Sequence, residues 1–274
     1  MLIAIFLILS AAAAAGLYFA AQSLWVLPVG FVCCFLLLAA LWFLMILVMA
    51  KRVDMTAEQG DDDPFFRRVI HLTVEALIPL LGVRVHTQGL EQTPKKGRFL
   101  LVCNHLHDVD TAFLLRYFPR SQLAFIAKRE VQQMPLVGPF LKKSLGQFVN
   151  RENDREALKA ILSCIRIIQE DKASIAVFPE GYVSLNRKLH PFRPGVFKIA
   201  QKAGVPIVVC TLRDTYAVMP NVKRLKPSDV HLHLVGVIYP EELSGVTTVD
   251  IAHRVHAMMA QDLGPELVEP EENT

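Results

Sequence analysis

The first fifty residues of this 274-residue chain contain no Asp, Glu, Lys or Arg. Every charged side chain lies beyond Ala50, and there the charged fraction is ordinary for a globular domain. Such a long uncharged region excludes a purely soluble protein, and its confinement to one end excludes a polytopic transporter. The pattern predicts a membrane anchor followed by a single domain of about 220 residues.

Cysteine pairs with C-x-x-C spacing are absent, although the chain has five cysteines. This absence excludes a disulfide scaffold and removes the simplest form of zinc site. Buried thiols in a reducing compartment are the plainest interpretation of the five residues. The chain also lacks an internal repeat, and its low-complexity sequence is confined to the polyalanine at 11–15.

Two apolar stretches, Met1–Ala21 and Val29–Ala50, are each long enough for a membrane-spanning helix. Lys51 and Arg52 follow directly, and the positive-inside tendency places that end in the cytoplasm. Two spans would leave the N-terminus in the cytoplasm as well. Two alternatives stay open. One is a signal peptide cleaved near Ala11–Ala15, although no basic segment precedes it, and the other is a hairpin inserted into one leaflet.

Beyond the anchor, assigned to 1–52, we predict a polar linker over 53–64, a domain over 65–262 and an acidic tail over 263–274. The predicted strands are Val83–Thr87, Phe99–Cys103, Leu123–Ala127, Gln147–Val149, Ser174–Phe178, Pro206–Leu212 and His231–Val237. The predicted helices are Phe65–Leu81, Val109–Phe118, Leu136–Ser144, Glu152–Glu170, Gly195–Ala203 and Val249–Gln261. This order predicts an α/β fold with a mostly parallel central sheet flanked by helices. Ligands of such sheets sit at the carboxyl ends of the strands.

Positive charge is concentrated in residues 128–202, which hold 14 Lys or Arg against 7 Asp or Glu. Part of this excess is explained by solvated helix surfaces, and the rest indicates an anionic partner. Membrane headgroups or a phosphorylated substrate suit an anchored protein better than nucleic acid does. We therefore predict a bilayer partner and no nucleic-acid partner.

A hydrophobic strand ends at Cys103, and the polar residues Asn104, His105 and Asp110 follow it. If a helix starts near Asp108, His105 and Asp110 point into one cleft, and the carboxylate accepts a hydrogen bond from one ring nitrogen. The other nitrogen is then free to take a proton from a hydroxyl group. A helix N-cap at Asp108 beside a structural histidine explains the same residues, and the spacing alone does not decide.

The same segment offers a cluster of potential metal ligands in His105, His107, Asp108 and Asp110. Their order, H-L-H-D-V-D, differs from the H-x-H-x-D-H order of binuclear zinc hydrolases, and the next histidine is His190. A metal-dependent hydrolase therefore stays as an alternative function.

Three more segments place functional residue types beside strands. The run Ala176–Phe178 ends in a Pro-Glu-Gly loop that presents Glu180 at the same sheet edge, or is a simple turn. The run Gly146–Val149 delivers Arg151, whose guanidinium suits bidentate phosphate binding or pairs with a nearby acid. Alone, Gly204–Val209 indicates only a buried strand.

Together these segments resemble the blocks of the PlsC-like glycerolipid acyltransferases, the 1-acylglycerol-3-phosphate acyltransferase family. The N-H-x4-D block is matched by Asn104, His105 and Asp110, and the G-x-F-x-x-R block by Gly146, Phe148 and Arg151. The F-P-E-G block is matched by Phe178 to Gly181, and the V-P-I-V block by Val205 to Val208. Flanking similarity is seen in Gly89–Pro94, Lys128–Gly138 and Phe192–Ala200, so the resemblance covers residues 65–240 or so.

The resemblance implies that His105 is the general base on an acceptor hydroxyl and that Asp110 orients it. The hydroxyl would attack the thioester of an acyl-CoA or acyl-carrier-protein donor, with no metal, no cofactor and no covalent enzyme intermediate. Arg151 and Glu180 would hold the head group of a lysophospholipid acceptor. The residues predicted to contact substrate are Asn104, Lys128, Gly146, Arg151, Phe178, Pro179, Glu180, Gly181, Arg187, Arg193 and Pro206.

The third block departs from the family pattern, which usually continues F-P-E-G-T-R-S. Here Tyr182 and Val183 replace the Thr and Arg, and that Arg is the residue taken to contact the acceptor phosphate. Arg187, Lys188 or Arg193 would have to substitute for it, or the acceptor is another lysolipid or a hydroxylated lipid. Smaller departures are Val209 in place of a second Pro and His107 in place of a small polar residue.

These inferences predict a membrane-bound O-acyltransferase of phospholipid biosynthesis that acylates lysophosphatidate to phosphatidate. The catalytic domain is expected on the cytoplasmic side of the cell membrane. The alternatives are the same chemistry on another acceptor, the metal-dependent hydrolase, and a non-catalytic membrane-binding module.

Overall fold

The computed structural model describes residues 1–57, 60–150 and 153–269. The helices in these ranges are α1 (Leu2–Ala21), α2 (Val26–Lys51), α3 (Pro64–Leu80), α4 (Asp110–Tyr117), α5 (Val137–Lys143), α6 (Asp154–Gln169), α7 (Lys198–Ala203), α8 (Val218–Lys223) and α9 (Thr248–Leu263). The strands are β1 (Val83–Gln88), β2 (Leu100–Cys103), β3 (Ala124–Lys128), β4 (Gln147–Val149), β5 (Ile175–Val177), β6 (Ile207–Arg213) and β7 (Ser228–Ile238). Short 3-10 turns connect several of them.

One sheet joins these strands in the order β1-β7-β6-β2-β5-β3-β4. The pairs among β6, β2, β5, β3 and β4 are all parallel, so their carboxyl ends lie along one edge. The pair β6–β7 is antiparallel, and β1 runs parallel to β7. The prediction of a mostly parallel α/β sheet flanked by helices is therefore confirmed. The reversal at β7 was not foreseen, because alternating apolar residues specify a strand but not its direction.

Helices cover both faces of the sheet because each strand of its centre is apolar on both sides. On one face, α6, α7 and α9 pack over buried residues that include Leu100, Ile175 and Ile207. On the other face, α3 and α4 pack over Leu101, Ala176 and neighbouring strand residues. Helices thus cover both faces, and a polar site is expected at the edge where the parallel strands end.

The starts of α3 and α6 are fixed by side-chain caps that the sequence already contains. Asp63 accepts hydrogen bonds from the backbone N–H groups of Phe65 and Phe66, with Pro64 at the first helical position. Asn153 likewise accepts from Arg155 and Glu156 at the start of α6. The cap explains why α6 begins at Asp154, two residues later than the apolar pattern predicts. Short α8 was not predicted, because six residues carry too little periodicity.

The N-terminal helices form a hairpin whose base is attached to the domain. Both helices are long and apolar enough to cross a membrane, and most of their side chains are exposed in the isolated chain. At the base, Met49 and Ala50 of α2 form a buried cluster with Val69 of α3 and Phe140 of α5. The indole N–H of Trp42 also donates to the hydroxyl of Thr73 at 3.1 Å. The hairpin therefore contacts the domain through packed side chains, in addition to the covalent connection between α2 and α3.

Candidate active site

The loop after β2 begins with Asn104, whose side-chain amide pairs with the backbone of β6. Asn104 is buried, and its amide nitrogen donates to the Leu212 carbonyl at 2.9 Å while its amide oxygen accepts from the Leu212 N–H at 2.7 Å. The amide thus continues the β2–β6 hydrogen bonds after β2 has ended. Asn104 was predicted to contact substrate, but both ends of its amide are engaged by Leu212. Its place indicates that it positions the start of the loop.

His105 and Asp110 are in contact, which is one of the two arrangements that the sequence leaves open. The ring Nδ1 of His105 lies 2.9 Å from Oδ2 of Asp110, and that oxygen also accepts the backbone N–H groups of Leu106 (2.7 Å) and His107 (2.9 Å). The loop 105–109 is therefore wrapped around one carboxylate oxygen at the start of α4. Because Asp110 accepts at this position, the neutral ring of His105 carries its proton on Nδ1.

The second ring nitrogen of His105 is left for a ligand. The side chain of His105 is 13% exposed, whereas that of Asp110 is fully buried. Within 1–57, 60–150 and 153–269, no hydrogen bond to Nε2 of His105 is found. A buried carboxylate on one nitrogen and an open, basic second nitrogen together form a group that can accept a proton from a bound hydroxyl.

The imidazole is also fixed from the side by an aromatic ring. Phe178, directly after β5, stacks on His105 with ring centroids 4.0 Å apart and planes inclined by 10°. Phe125 of β3 lies behind Phe178 at 6.5 Å. The stack restricts rotation of the imidazole and keeps water from one of its faces. Phe178 was predicted to contact substrate, and its observed contact is with the catalytic candidate itself.

Glu180 connects two loops rather than pointing into open space. Its carboxylate is buried; one oxygen accepts the N–H of His105 at 2.8 Å, and the other accepts the N–H of His190 at 3.0 Å. Burial raises the pKa of Glu180 to about 7, against the lowering effect of these two hydrogen bonds, and the nearby Asp110 carboxylate raises it further. Glu180 was predicted to bind the acceptor head group, whereas both of its oxygens are occupied by backbone groups.

The raised pKa of Glu180 gives a prediction for stability against pH. A carboxyl group whose pKa is about 7 when folded and near 4.5 when unfolded binds more protons in the folded state between those values. Its contribution to stability is therefore complete below pH ~4.5 and is lost as the pH rises through 7. We expect Glu180→Gln to remove this slope, measured as the difference in Tm between variant and wild type in detergent from pH 4.5 to 8. A constant difference across that range would contradict the assignment.

The turn after Glu180 requires glycine. Gly181 has φ of +86°, and a Cβ there would lie 2.8 Å from Nε of Arg193, whose side chain crosses over the turn. The backbone also closes here, since the N–H of Arg193 donates to the carbonyl of the buried Pro179 at 2.9 Å. Pro179 and Gly181, both predicted to contact substrate, therefore shape the loop that holds Glu180. Arg193 lies exposed beside this turn.

Arg187 packs its guanidinium on an aromatic ring. Its guanidinium lies 4.0 Å from the ring centroid of Tyr216, in the segment that follows β6. Three residues before it, Ser184 is buried and donates its N–H to the carbonyl of His105 at 2.8 Å. Lys128 lies exposed at the end of β3, on the same edge of the sheet. The edge thus carries cations, as the charge distribution predicts.

Three predicted contacts remain. Gly146 lies in the turn between α5 and β4, where its N–H donates to the Leu141 carbonyl at 2.7 Å. Arg151 lies outside the described residues. Pro206 precedes β6, and its carbonyl accepts the N–H of Leu100 at 3.0 Å, at the amino end of β2. Because β2 and β6 are parallel, Pro206 lies at the opposite edge of the sheet from His105, away from the candidate site.

The metal-hydrolase alternative lacks a ligand set in the described residues, where no three His, Cys, Asp or Glu side chains are arranged to hold a metal ion. The Oδ2 atom of Asp110 is occupied by His105 and two backbone groups, and Nδ1 of His107 accepts the N–H of Val109 at 3.3 Å. The contacts of Oδ2 and of the His107 ring are therefore made within the loop itself.

Three residues that sequence reasoning did not select belong to the site's frame. Ser184 binds the His105 backbone, His190 supplies an N–H to Glu180, and Tyr216 supports Arg187. Ser184 and His190 act through backbone groups, which carry no residue signature. Tyr216 lies beyond the fourth block, and its only signal is an aromatic ring shortly after a buried strand.

Comparison with known proteins gives a consistent result. A family model described as Acyltransferase matches residues 84–213. A probable 1-acyl-sn-glycerol-3-phosphate acyltransferase of Mycoplasma pneumoniae is 32% identical over 188 residues, which is 67% of this chain and 69% of that protein. The 1-acyl-sn-glycerol-3-phosphate acyltransferase of Haemophilus influenzae is 28% identical over 186 residues, or 67% of this chain and 75% of that protein.

The fold is also similar to a solved structure. The crystal structure of the 1-acyl-sn-glycerophosphate acyltransferase PlsC from Thermotoga maritima matches with a TM-score of 0.62 at 23% identity, covering 81% of this chain and 87% of that one. At that identity the match supports the fold alone. With the sequence relatives and the His–Asp pair at the strand ends, the chain belongs to the PlsC-like glycerolipid acyltransferase family, that of the 1-acyl-sn-glycerol-3-phosphate acyltransferases.

Proposed function

We propose that the chain transfers a fatty acyl group from a thioester donor to the free hydroxyl of lysophosphatidate, giving phosphatidate. The observation that carries this proposal is the His105–Asp110 pair, 2.9 Å apart, with the outer ring nitrogen of His105 open. The relative in Haemophilus is named a 1-acyl-sn-glycerol-3-phosphate acyltransferase, and the relative in Mycoplasma a probable one, which supports lysophosphatidate as the acceptor. The donor is acyl-CoA or an acyl-carrier protein.

The reaction follows from the state of the imidazole. Nε2 of His105 takes the proton as the acceptor oxygen attacks the thioester carbonyl carbon, and a tetrahedral intermediate forms. The C–S bond then breaks, and the imidazolium returns the proton to the departing thiolate. Buried Asp110 stabilises the imidazolium while it exists, and Phe178 restricts the rotation of the ring, so that Nε2 stays directed at the acceptor hydroxyl. No covalent intermediate on the protein is needed, because the thioester is already activated.

The anchor supports a lipid acceptor. The hairpin of α1 and α2 is apolar enough to enter the bilayer, and its base packs on α3 and α5 of the domain. Lys51 and Arg52 at the end of α2 favour the cytoplasmic side for the domain. In this arrangement the acceptor and the product stay in the membrane, and His105 lies in a domain held at the membrane surface.

Arg187 is proposed as the contact for the acceptor phosphate. The family position normally filled by Arg is Val183, so a different cation must neutralise the phosphate. Arg187 is placed by Tyr216 at 4.0 Å and follows Ser184, which is bound to the His105 backbone. A planar guanidinium already held by an aromatic ring loses little freedom on binding phosphate.

The test is acyl transfer from labelled acyl-CoA and acyl-carrier protein to a panel of acceptors in vesicles. The panel contains lysophosphatidate, lysophosphatidylcholine, lysophosphatidylglycerol and monoacylglycerol. We expect lysophosphatidate to be preferred, and we expect Arg187→Gln to raise its KM about tenfold while leaving that for monoacylglycerol unchanged. Arg224→Gln, which removes a cation at the end of α8, serves as the matched control. A clear preference for another lysolipid would contradict lysophosphatidate as the acceptor. A KM for lysophosphatidate that Arg187→Gln does not change would contradict the phosphate contact of Arg187.

A further inference from the structure

We propose that Gly264–Glu269, here called the C-terminal strap, is a positioning element of the active site that holds the Glu180 loop in place. From composition, these residues are predicted to belong to an acidic tail. Their contacts place them instead against the loop 181–190, which joins Glu180 to His190. The strap touches no substrate, and its effect would pass through the backbone of this loop. The activity part of the proposal rests on the proposed acyl transfer.

The strap grips the loop at a single buried residue. Leu189 donates its N–H to the carbonyl of Leu267 at 2.7 Å, and its own carbonyl accepts the N–H of Glu269 at 3.0 Å. Together these bonds form an isolated parallel bridge between Leu189 and Val268. The Leu189 side chain is 2% exposed in the main core, and Leu267 and Val268 pack against the same core. A side-chain bond adds to the grip, because the amide of Asn186 donates to Glu269 at 2.7 Å.

The other end of the strap is fixed as firmly. At the end of α9, Asp262 accepts from Thr211 of β6 and contacts His233 of β7, and Arg213 donates to its carbonyl. The chain then turns at Gly264, whose φ of 89° and ψ of 154° are essentially restricted to glycine. Residues Pro265–Leu267 form one 3-10 turn that delivers Leu267 and Glu269 to Leu189. The start of the strap is therefore fixed by the contacts of Asp262 with β6 and β7.

The gripped residue lies next to the catalytic machinery. His190, which follows Leu189, donates its N–H to Glu180, and the other oxygen of Glu180 receives the N–H of His105. On the opposite side of the loop, Ser184 binds the carbonyl of His105. The carbonyl of His105 is therefore bonded to the loop that the strap holds, and its N–H is bonded to Glu180 at the start of that loop. Since a shift of about 1 Å in a catalytic group costs up to about 100-fold in rate, loss of the strap should appear in kcat.

The experiment compares two substitutions at one position in the full-length protein. Glu269→Pro removes the N–H that bonds Leu189, and the ψ of 136° at Val268 is compatible with a following proline. Glu269→Ala is the matched control, because it loses the same contact with Asn186 but keeps the N–H. Deletion of 265–274 removes the whole grip, and deletion of 270–274 leaves it intact. Each form is measured for hydrogen exchange at 181–190, for kcat and KM, and for Tm.

We expect Glu269→Pro and the longer deletion to raise exchange at Leu189 and His190 about tenfold or more over their controls. We also expect kcat to fall about 10-fold or more, with KM for the donor nearly unchanged. If exchange at 181–190 does not rise in Glu269→Pro, the strap does not hold the loop. If exchange rises while kcat is unchanged, the strap does not position the site. Failure of the wild type to acylate any acceptor would refute the proposed function instead, and the exchange result would still decide whether the strap holds the loop.

Discussion

Replacement of His105 by alanine is expected to lower kcat for acyl transfer by about 10²- to 10⁴-fold, the usual contribution of a general base. Nδ1 of His105 contacts the buried Asp110 carboxylate, and Nε2 of the same ring is open to a ligand. KM for the donor should change little, because the imidazole acts on the hydroxyl and does not hold the acyl chain. The measurement is steady-state transfer of labelled acyl groups to lysophosphatidate in vesicles.

A control on the same loop separates chemistry from folding. His107→Asn removes a second imidazole two residues away, while the backbone N–H that bonds Asp110 is kept. We expect this variant to retain activity within a few-fold. Undiminished turnover in His105→Ala would refute the mechanism, and an equal loss in His107→Asn would attribute the effect to damage of the loop.

Asp110→Asn is expected to have an effect of similar size through a different cause. If the amide oxygen takes the place of Oδ2, the NH2 group lies at the buried position of Oδ1, which has no hydrogen-bond partner in the described part of the chain. In the other orientation the NH2 group faces the His105 ring and the N–H groups of Leu106 and His107. The imidazolium also loses its buried counter-charge. We expect kcat to fall about 10²- to 10⁴-fold and Tm to fall as well, because a buried hydrogen bond is left unmade.

The double variant tests whether the two residues act as one unit. If Asp110 works by orienting and stabilising His105, the variant carrying both His105→Ala and Asp110→Asn should have nearly the same kcat as His105→Ala alone. Independent contributions would instead multiply the two losses. A pH–rate profile that is unchanged in Asp110→Asn would also contradict a role through the imidazole.

The sequence was most informative where a pattern of side chains alone determines the outcome. The strands and long helices follow from apolar periodicity, and the contact between His105 and Asp110 follows from a strand end and a helix start. The four blocks in order predicted the family. These features are local, or they are repeated along the chain, and so one sequence can reveal them.

The sequence was least informative about which groups form hydrogen bonds with each other and at which end of a strand a residue lies. Glu180 has the residue type of a ligand for a hydroxylated acceptor, yet both of its oxygens bind backbone N–H groups. Pro206 belongs to a family block, yet it lies at the far edge of the sheet, since a block does not state at which end of its strand it acts. The strap was missed for a related reason, because backbone groups make its grip and leave no trace in residue type.

Asn104 also bears on how inactive relatives would be recognised. Its amide replaces a missing peptide unit between β2 and β6, so its loss would disturb the sheet whether or not acyl transfer takes place. A relative that kept the fold but abandoned the reaction should therefore retain Asn at this position and change the residues matching His105 and Asp110. A motif search that gives Asn104 the same weight as His105 would therefore score such a pseudoenzyme as an active enzyme. The pair His105 and Asp110 is the part of the block that distinguishes an enzyme from a scaffold.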